Sequence, residues 1–261
     1  MKVDLTGKTA IVTGAGGSIG EAIALALGAN GANVVINDVS ETKGLAAAKK
    51  VAALGVKSSY VYADVSSMEQ MTYLTDKVMA DFGRIDILIN NAGINVGPSG
   101  RKPISEFSED DWHRIMKVDL DGIFCCSKPV LQYMIAQKSG VILNISSIVG
   151  LVPLRLQCAF AAAKAGVVNL TKAMAIEMAE NGIRVNCIAP GSIIMEGTKE
   201  LFYSDPIKAE RLISHIPMGR PGNVDEIANV ALFMVSDEAS YMTGSIVTVD
   251  GGWTCGFARD F

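Results

Sequence analysis

The residues TGAGGSIG, 13–20, have the types and spacing to hold phosphate. Gly14 and Gly16 allow backbone angles and close approaches that a side chain would forbid, and Gly20 lets a following helix pack tightly on the strand before it. A helix that starts at such a turn presents unpaired N–H groups, which suit a pyrophosphate. A glycine-rich turn alone is weak evidence, because many turns need glycine. Here the apolar run TAIV precedes it and an alanine-rich segment of helical period follows, which is the context a dinucleotide requires. The next apolar run, NVVIND, ends at Asp38. A carboxylate about 20 residues beyond the glycine turn can accept hydrogen bonds from ribose 2′- and 3′-hydroxyls and repels a 2′-phosphate, so it predicts NAD(H) over NADP(H). The alternative is an aspartate that only opens the turn DVSETKG.

The stretch CAFAAAKAG, 158–166, holds a second candidate. Lys164 follows Phe160 by four residues, so both lie on one face of a helix. An ammonium in that place would favour the ionised form of a phenol and lower its pKa. Phenylalanine, however, can neither donate, accept nor ionise. Lys164 could instead be a solvated helix lysine, but the small residues on both sides of it argue against that.

These groups need a scaffold, and the hydrophobic pattern supplies one. Strand-length apolar runs at 9–14, 33–38, 59–64, 85–90, 140–146, 183–189 and 245–250 alternate with segments of helical period, among them 109–137 and 158–180. The runs are rich in Val and Ile and barely alternate, which is the pattern of strands buried on both faces. Strands alternating with helices predict an α/β fold, a parallel sheet of about seven strands with helices on both sides. No linker, charge block or repeat divides the chain, so residues 1–261 read as a single doubly wound domain. With 49% hydrophobic and 19% charged residues, a sizeable core is possible and disorder is not expected.

Composition also narrows the partners. A net charge of −4 offers no attraction to nucleic acid or to an anionic membrane. The N-terminal MKVDLTGKTAIVTG does not read as a signal peptide, and no apolar run approaches about 18 residues, so no membrane span is expected. Cys125, Cys126, Cys158, Cys187 and Cys255 form no CxxC and are odd in number, which suggests reduced thiols and a cytoplasmic protein. His113 and His215 are the only histidines and have no ligand spacing around them, so no metal site is expected.

With these residues in hand, the chain resembles the classical short-chain dehydrogenase/reductase family over about residues 5–253. TGAGGSIG is similar to the family's TGxxxGxG turn, with Ser18 at the middle glycine position and Ile19 beside it. ADV, 63–65, resembles the segment that meets the adenine, with Asp64 and Val65 as contacts. NNAG, 90–93, resembles the fourth-strand signature and adds Asn91, Ala92 and Gly93 to the cofactor-binding set. NISS, 144–147, matches the segment with the catalytic serine, Ser147. FxxxK stands where the family has YxxxK, and Phe160 follows Ser147 by the family's thirteen residues. PGSI, 190–193, resembles the turn that holds the nicotinamide carboxamide, implying roles for Pro190, Gly191 and Ile193. VDGG, 249–252, is similar to the C-terminal signature. The shared order and spacing make the resemblance specific.

The resemblance implies a Rossmann domain that binds NAD and interconverts a secondary alcohol and a ketone, with hydride passing to or from the nicotinamide. Ser147 would donate a hydrogen bond to the substrate oxygen as charge develops. Lys164 would bond the nicotinamide ribose and lower the pKa of the tyrosine that supplies the proton. Ser147 could also be no more than a strand-end serine capping a turn.

Two positions depart from the family. Phe160 replaces the tyrosine, and Asp119, in KVDLDGIF, stands where many members have an asparagine that helps hold a proton path. Met195 is a smaller departure, near a threonine that often meets the cofactor. Three readings follow. Phe160 is an engineered Tyr→Phe change in an active dehydrogenase; or the chain is a pseudoenzyme that binds NAD or a partner; or another group donates the proton. The intact glycine turn, Asp38, Asn91, Ser147, Lys164, Pro190 and Gly191 favour the first.

Residues 193–220 should form a substrate lid that mixes Met195, Leu201, Phe202, Tyr203 and Met218 with Glu196, Lys199, Glu200, Arg211 and His215. With loop 95–103, Arg155 and Gln157, this suits a sugar, polyol or sugar acid, and hence carbohydrate metabolism. A steroid-like or cyclic ketone is the alternative. Family resemblance implies a homotetramer, with 109–137, 158–180 and the C-terminal GGWTCGFARDF as interfaces.

Overall fold

The computed structural model describes residues 3–195, 198–199 and 205–256. Seven strands form one sheet: β1 Thr9–Thr13, β2 Asn33–Asn37, β3 Ser58–Val61, β4 Ile87–Asn90, β5 Gly140–Ile145, β6 Ile183–Pro190 and β7 Ile246–Val249. Their order is β3-β2-β1-β4-β5-β6-β7, and every pairing is parallel. All seven predicted strands form, each within a few residues of its expected bounds. The direction of winding reverses between β1 and β4, which opens a crevice at their carboxyl ends.

The helices between them are α1 Ser18–Ala29, α2 Glu41–Ala52, α3 Met68–Phe82, α4 Glu109–Met116, α5 Gly122–Gln137, α6 Cys158–Met178, α7 Pro206–Ile213 and α8 Val224–Val235. Successive strand residues face opposite ways. Ala10, Val12, Val34, Ile36, Ile87 and Ile89 join Ile23 and Leu27 of α1, Val51 of α2 and Ile227 of α8 in one core. On the other face Ile11, Val35, Leu88 and Ile142 meet Met71 and Leu74 of α3 and Val130 and Met134 of α5.

One expectation needs correction. The edge strands are not buried on both faces. Most of β3 is half-buried, and β7 is half-buried with Thr248 exposed, since each has a neighbour on one side only. One helical run, Cys158–Asn181, is long and apolar enough to cross a membrane by length and composition alone. In the fold its inner face, Ala159, Ala163, Val167 and Thr171, is buried.

The predicted helical stretch 109–137 is helical throughout but not uniform. Between α4 and α5, Lys117–Asp121 is π-helical. Such insertions rotate the following side chains and recur at functional sites. Within this one, Asp119 is buried.

Candidate active site

The glycine turn is shaped as the sequence predicts. Gly14 has a φ of +60°, and a Cβ there would come within 2.8 Å of the Ala92 backbone. At Gly16 a Cβ would lie 2.7 Å from the Asp38 carboxylate, and at Gly20 only 2.5 Å from the Asn91 amide nitrogen. At these three positions the turn is closed to side chains, whereas a Cβ at Gly17 would meet nothing within 4 Å. Ser18, Ile19 and Gly20 open α1, where N–H groups have no intrahelical partner and can face an anion. Ser18 holds a left-handed φ of +52°, a conformation that favours glycine.

Asp38 is half-buried at the end of β2, directly beside the turn. Its Oδ2 accepts from the Gly16 N–H at 2.8 Å and its Oδ1 from the Ser40 N–H at 2.8 Å. The carboxylate is held in one orientation by these bonds, and each oxygen keeps a lone pair for a ribose hydroxyl. The Tyr60 hydroxyl donates to the Asp38 carbonyl, and burial with nearby Glu41 and Asp38 raises the phenol's pKa.

At the end of β4, Asn91 acts on the turn itself. Its Nδ2 donates to the carbonyls of Thr13 at 2.9 Å and Gly14 at 3.1 Å, while Thr13 Oγ1 accepts the N–H groups of Asn91 and Ala92. Thr13 was not singled out from the sequence, yet it joins β1 to β4 at the crevice. Behind it Asn90, Ser127, Asn144 and Thr171 form a buried hydrogen-bonded chain, also missed because nothing in sequence spacing links them. Asp64 accepts from the Ser66 N–H and caps the turn after β3, and Val65 is buried against Gly122. Gly191 lies against Asp250, where a Cβ would meet backbone at 2.7 Å. The Ile193 side chain is buried, so its contact with a cofactor would be through its backbone. Thr198, three residues after Met195, donates to the Ile193 carbonyl at 2.6 Å and accepts from the Met195 N–H, so a threonine does brace this turn.

Of the predicted catalytic residues, Asp119, Phe160 and Lys164 lie together, and Ser147 caps the short helix Ile148–Gly150. Ser147 follows β5 and is half-buried, and its Oγ accepts from the Val149 N–H at 3.2 Å. The turn-capping reading is therefore realised, and the hydroxyl proton remains for another acceptor. Ser146 Oγ donates to the Lys164 carbonyl at 2.8 Å, locking α6 to the end of β5. Lys164 is buried; its Nζ donates to the Ile145 carbonyl at 3.2 Å and lies 5.5 Å from the centre of the Phe160 ring. Phe160 is half-buried against the cluster of Val96, Ile115, Ala159 and Ala163.

Asp119 meets Lys164 directly. Its Oδ1 accepts from the Ile94 N–H at 2.7 Å, and its Oδ2 lies 3.1 Å from Lys164 Nζ with both side chains almost fully buried. Oδ2 has no aligned hydrogen bond, so its partner there is the ammonium charge. Gly93 covers the pair: a Cβ there would stand 3.1 Å from Asp119 Oδ2 and 3.2 Å from Lys164 Nζ.

A cleft of about 330 Å³ at the start of α6 is lined by Lys102, Ile104, Pro153, Arg155, Leu156 and Cys158, among others. Of the expected lid, α7 and the segment to Arg220 are described. Glu196, Glu200, Leu201, Phe202 and Tyr203 lie outside the described residues, as do residues 257–261 of the proposed C-terminal interface. His215 stacks on Trp253 with ring centres 5.8 Å apart. Burial raises the thiol pKa of Cys126 and pushes that of Cys187 up to about 11, so neither is a ready nucleophile.

Comparison with known proteins agrees with this geometry. Residues 14–254 match the family model described as Enoyl-(Acyl carrier protein) reductase. The chain belongs to the short-chain dehydrogenase/reductase family. It is 39% identical over 249 residues to a 3-oxoacyl-(acyl-carrier-protein) reductase of Thermotoga maritima, covering 95% of this chain and 98% of that one. It is 41% identical over 256 residues to 3beta-hydroxysteroid dehydrogenase 1 of Eggerthella lenta, covering 96% and 95%. Among solved structures, a gluconate 5-dehydrogenase from Burkholderia cenocepacia J2315 in complex with NADP and tartrate superposes with a TM-score of 0.91, at 36% identity and 98% coverage of both chains. An NAD+-bound xylitol dehydrogenase superposes at 0.90, with 33% identity, covering 95% of this chain and 99% of that one. This short-chain dehydrogenase/reductase is thus an oxidoreductase of the alcohol–ketone class that uses a nicotinamide cofactor.

Proposed function

We propose that the chain is an NAD(H)-dependent alcohol dehydrogenase or ketoreductase of hydroxylated small molecules whose proton-donor position is filled by Phe160. In this form it binds cofactor and substrate but turns over slowly. The Asp38 carboxylate beside the glycine turn carries the NAD reading, because a 2′-phosphate would meet a fixed negative charge. The cofactor, when bound, supplies the hydride acceptor or donor. Ser147 orients the substrate oxygen, and Lys164 holds positive charge beneath the ring. Sugars, polyols or sugar acids fit the Lys102 and Arg155 cations at the cleft, where a carboxylate would be attracted. The gluconate and xylitol dehydrogenases among the structural neighbours support that class. A steroid-like or cyclic ketone is the alternative that the hydroxysteroid relative supports. Exposed Phe124 and Ile135 on α5, Ile176 on α6 and the open edge of β7 support a homotetramer.

The intact site around it favours reading Phe160 as a Tyr→Phe change in an active enzyme. One observation favours a second reading, a chain in which phenylalanine is native. Asp119 already neutralises Lys164, a charge that a phenolate would otherwise balance.

Phe160→Tyr tests both. On the first reading it raises the rate by about 10²–10⁴, the worth of general acid–base catalysis, or roughly 3–5 kcal/mol of barrier. The measurement is NADH absorbance across sugars, polyols, sugar acids and steroids, with NAD and NADP affinities titrated in parallel. No turnover by the tyrosine variant while NAD still binds removes the first reading. Equal affinity for NAD and NADP removes the cofactor assignment.

A further inference from the structure

The Asp38 carboxylate can tell a 2′-hydroxyl from a 2′-phosphate only while it is held in place, and part of what holds it lies on β3. The register of the sheet sets Tyr60 of β3 beside Ile36 of β2, two residues before Asp38. From there the Tyr60 side chain reaches forward, and its hydroxyl donates to the Asp38 carbonyl at 3.0 Å. One residue earlier, Asn37 is fully buried, and its Nδ2 donates to the carbonyls of Val61 at 3.2 Å and Ala63 at 2.9 Å. The β2–β3 ladder ends at the pair Asn37 and Val61. Beyond it, side-chain bonds from or to β3 and its continuation take over the fixing of the main chain.

A glycine makes room for the tyrosine. Gly44 is the fourth residue of α2 and is buried. Glycine is a poor helix residue, because it loses the most backbone freedom on ordering. Here a Cβ would overlap Cδ2 and Cε2 of the Tyr60 ring. Any other residue at 44 would push the ring, and with it the hydroxyl, off the Asp38 carbonyl. The same turn of α2 bears on the phosphate-binding turn, for a Cβ on Gly16 would lie 2.8 Å from Lys43 Cβ as well as 2.7 Å from Asp38 Oδ2. Burial, with Glu41 and Asp38 nearby, raises the Tyr60 pKa, so the phenol keeps its proton and remains a donor at neutral pH.

We infer that Tyr60, seated on Gly44, is a positioning residue for cofactor discrimination. It fixes the main chain of Asp38, and so keeps the carboxylate where the 2′-oxygen of the adenosine ribose comes. Released from Tyr60, the carboxylate could swing away from a 2′-phosphate and would bond a ribose less well. NAD(H) would lose affinity and NADP(H) would gain it. This rests on the reading of Asp38 as the group that distinguishes the two cofactors.

The test is titration of NAD+ and NADP+ into the full chain without substrate, and its readout is the ratio of the two affinities. Tyr60→Phe keeps the ring and removes only the donor. The preference for NAD+ should fall about five- to tenfold, the worth of one hydrogen bond between neutral groups. Gly44→Ala displaces the ring by a different route and should lower the preference at least as far. In an Asp38→Ala background there is no carboxylate to position, and adding Tyr60→Phe should leave the ratio unchanged within about twofold, well under one hydrogen bond. A residue that only supports the fold would lower the melting temperature and weaken both cofactors alike, leaving the ratio where it was. An unchanged ratio in Tyr60→Phe or in Gly44→Ala overturns the inference, and so does a fall that persists in the Asp38→Ala background. The preference of the unaltered chain tests the cofactor assignment. The change that Tyr60→Phe makes in it, present with Asp38 and absent without, tests this inference, so either can fail alone.

Discussion

Asp119→Asn probes the pair at the centre of the site. Asn and Asp have the same shape, so the change is one of charge and donors. Asp119 Oδ1 accepts from the Ile94 N–H at 2.7 Å, and Oδ2 faces Lys164 Nζ at 3.1 Å. An amide can satisfy only one of these. With its oxygen toward Ile94, its NH2 confronts the ammonium; flipped, it confronts the Ile94 N–H. Lys164 would keep only the Ile145 carbonyl at 3.2 Å. With the pair almost fully buried, water cannot readily replace the lost partner. Removing one member of such a pair costs about 3–5 kcal/mol. At roughly 2–4 °C per kcal/mol for a domain of this size, the melting temperature should fall by on the order of 10 °C. The assay is urea and thermal unfolding of Asp119→Asn, Lys164→Met and the double variant. The double variant should be less destabilised than the two single losses added together, since no lone charge remains buried. A loss below about 1 kcal/mol in Asp119→Asn would refute the reasoning, because the pair would then be worth no more than an exposed one.

Two further outcomes follow from local geometry. Gly16→Ala would put a Cβ 2.7 Å from the Asp38 carboxylate and 2.8 Å from Lys43 Cβ. The turn must shift, and NAD affinity measured by titration should fall at least tenfold, about 1.4 kcal/mol, while an unchanged affinity would sink the assigned site. At the start of α8, Glu226 completes a capping box with Asn223 and pairs with Arg220, and the Arg220 hydrogen bond holds its carboxyl down at about 2. A depressed carboxylate stabilises the fold above its unfolded pKa and ceases to as pH falls through the folded value. The stability gap between the chain and Glu226→Gln should therefore be present at neutral pH and close between about 4.5 and about 2. A gap independent of pH in unfolding experiments would show that the charge is not responsible.

Much of the site was legible in the sequence because its cues are local. A glycine turn between a strand and a helix is a matter of backbone sterics within eight residues. The four-residue offset of Lys164 from Phe160 follows from the helical repeat, and Val- and Ile-rich runs announce the strands. Asp38 could be placed beside the turn because a strand of known length carries it there. The sequence by itself thus determined the α/β architecture, the shape of the glycine turn and the absence of a side-chain hydroxyl at position 160.

Contacts between distant segments were decided only by the tertiary structure. Nothing in KVDLDGIF announces that a π-helical turn buries Asp119 against Lys164, because that bond depends on how α6 lies against the segment before α5. The resemblance implies a cofactor contact for Asn91, but that its amide also holds the glycine turn of another strand is visible only in the fold. The half-exposure of β7 depends on sheet order and not on its Val and Ile. The hold of Tyr60 on Asp38 requires the gap at Gly44 of α2 and the register of β3 on β2. Secondary structure reflects short-range periodicity, whereas the polarity and charge state of a site depend on which long-range neighbours the packing brings within about 3 Å, the reach of a hydrogen bond.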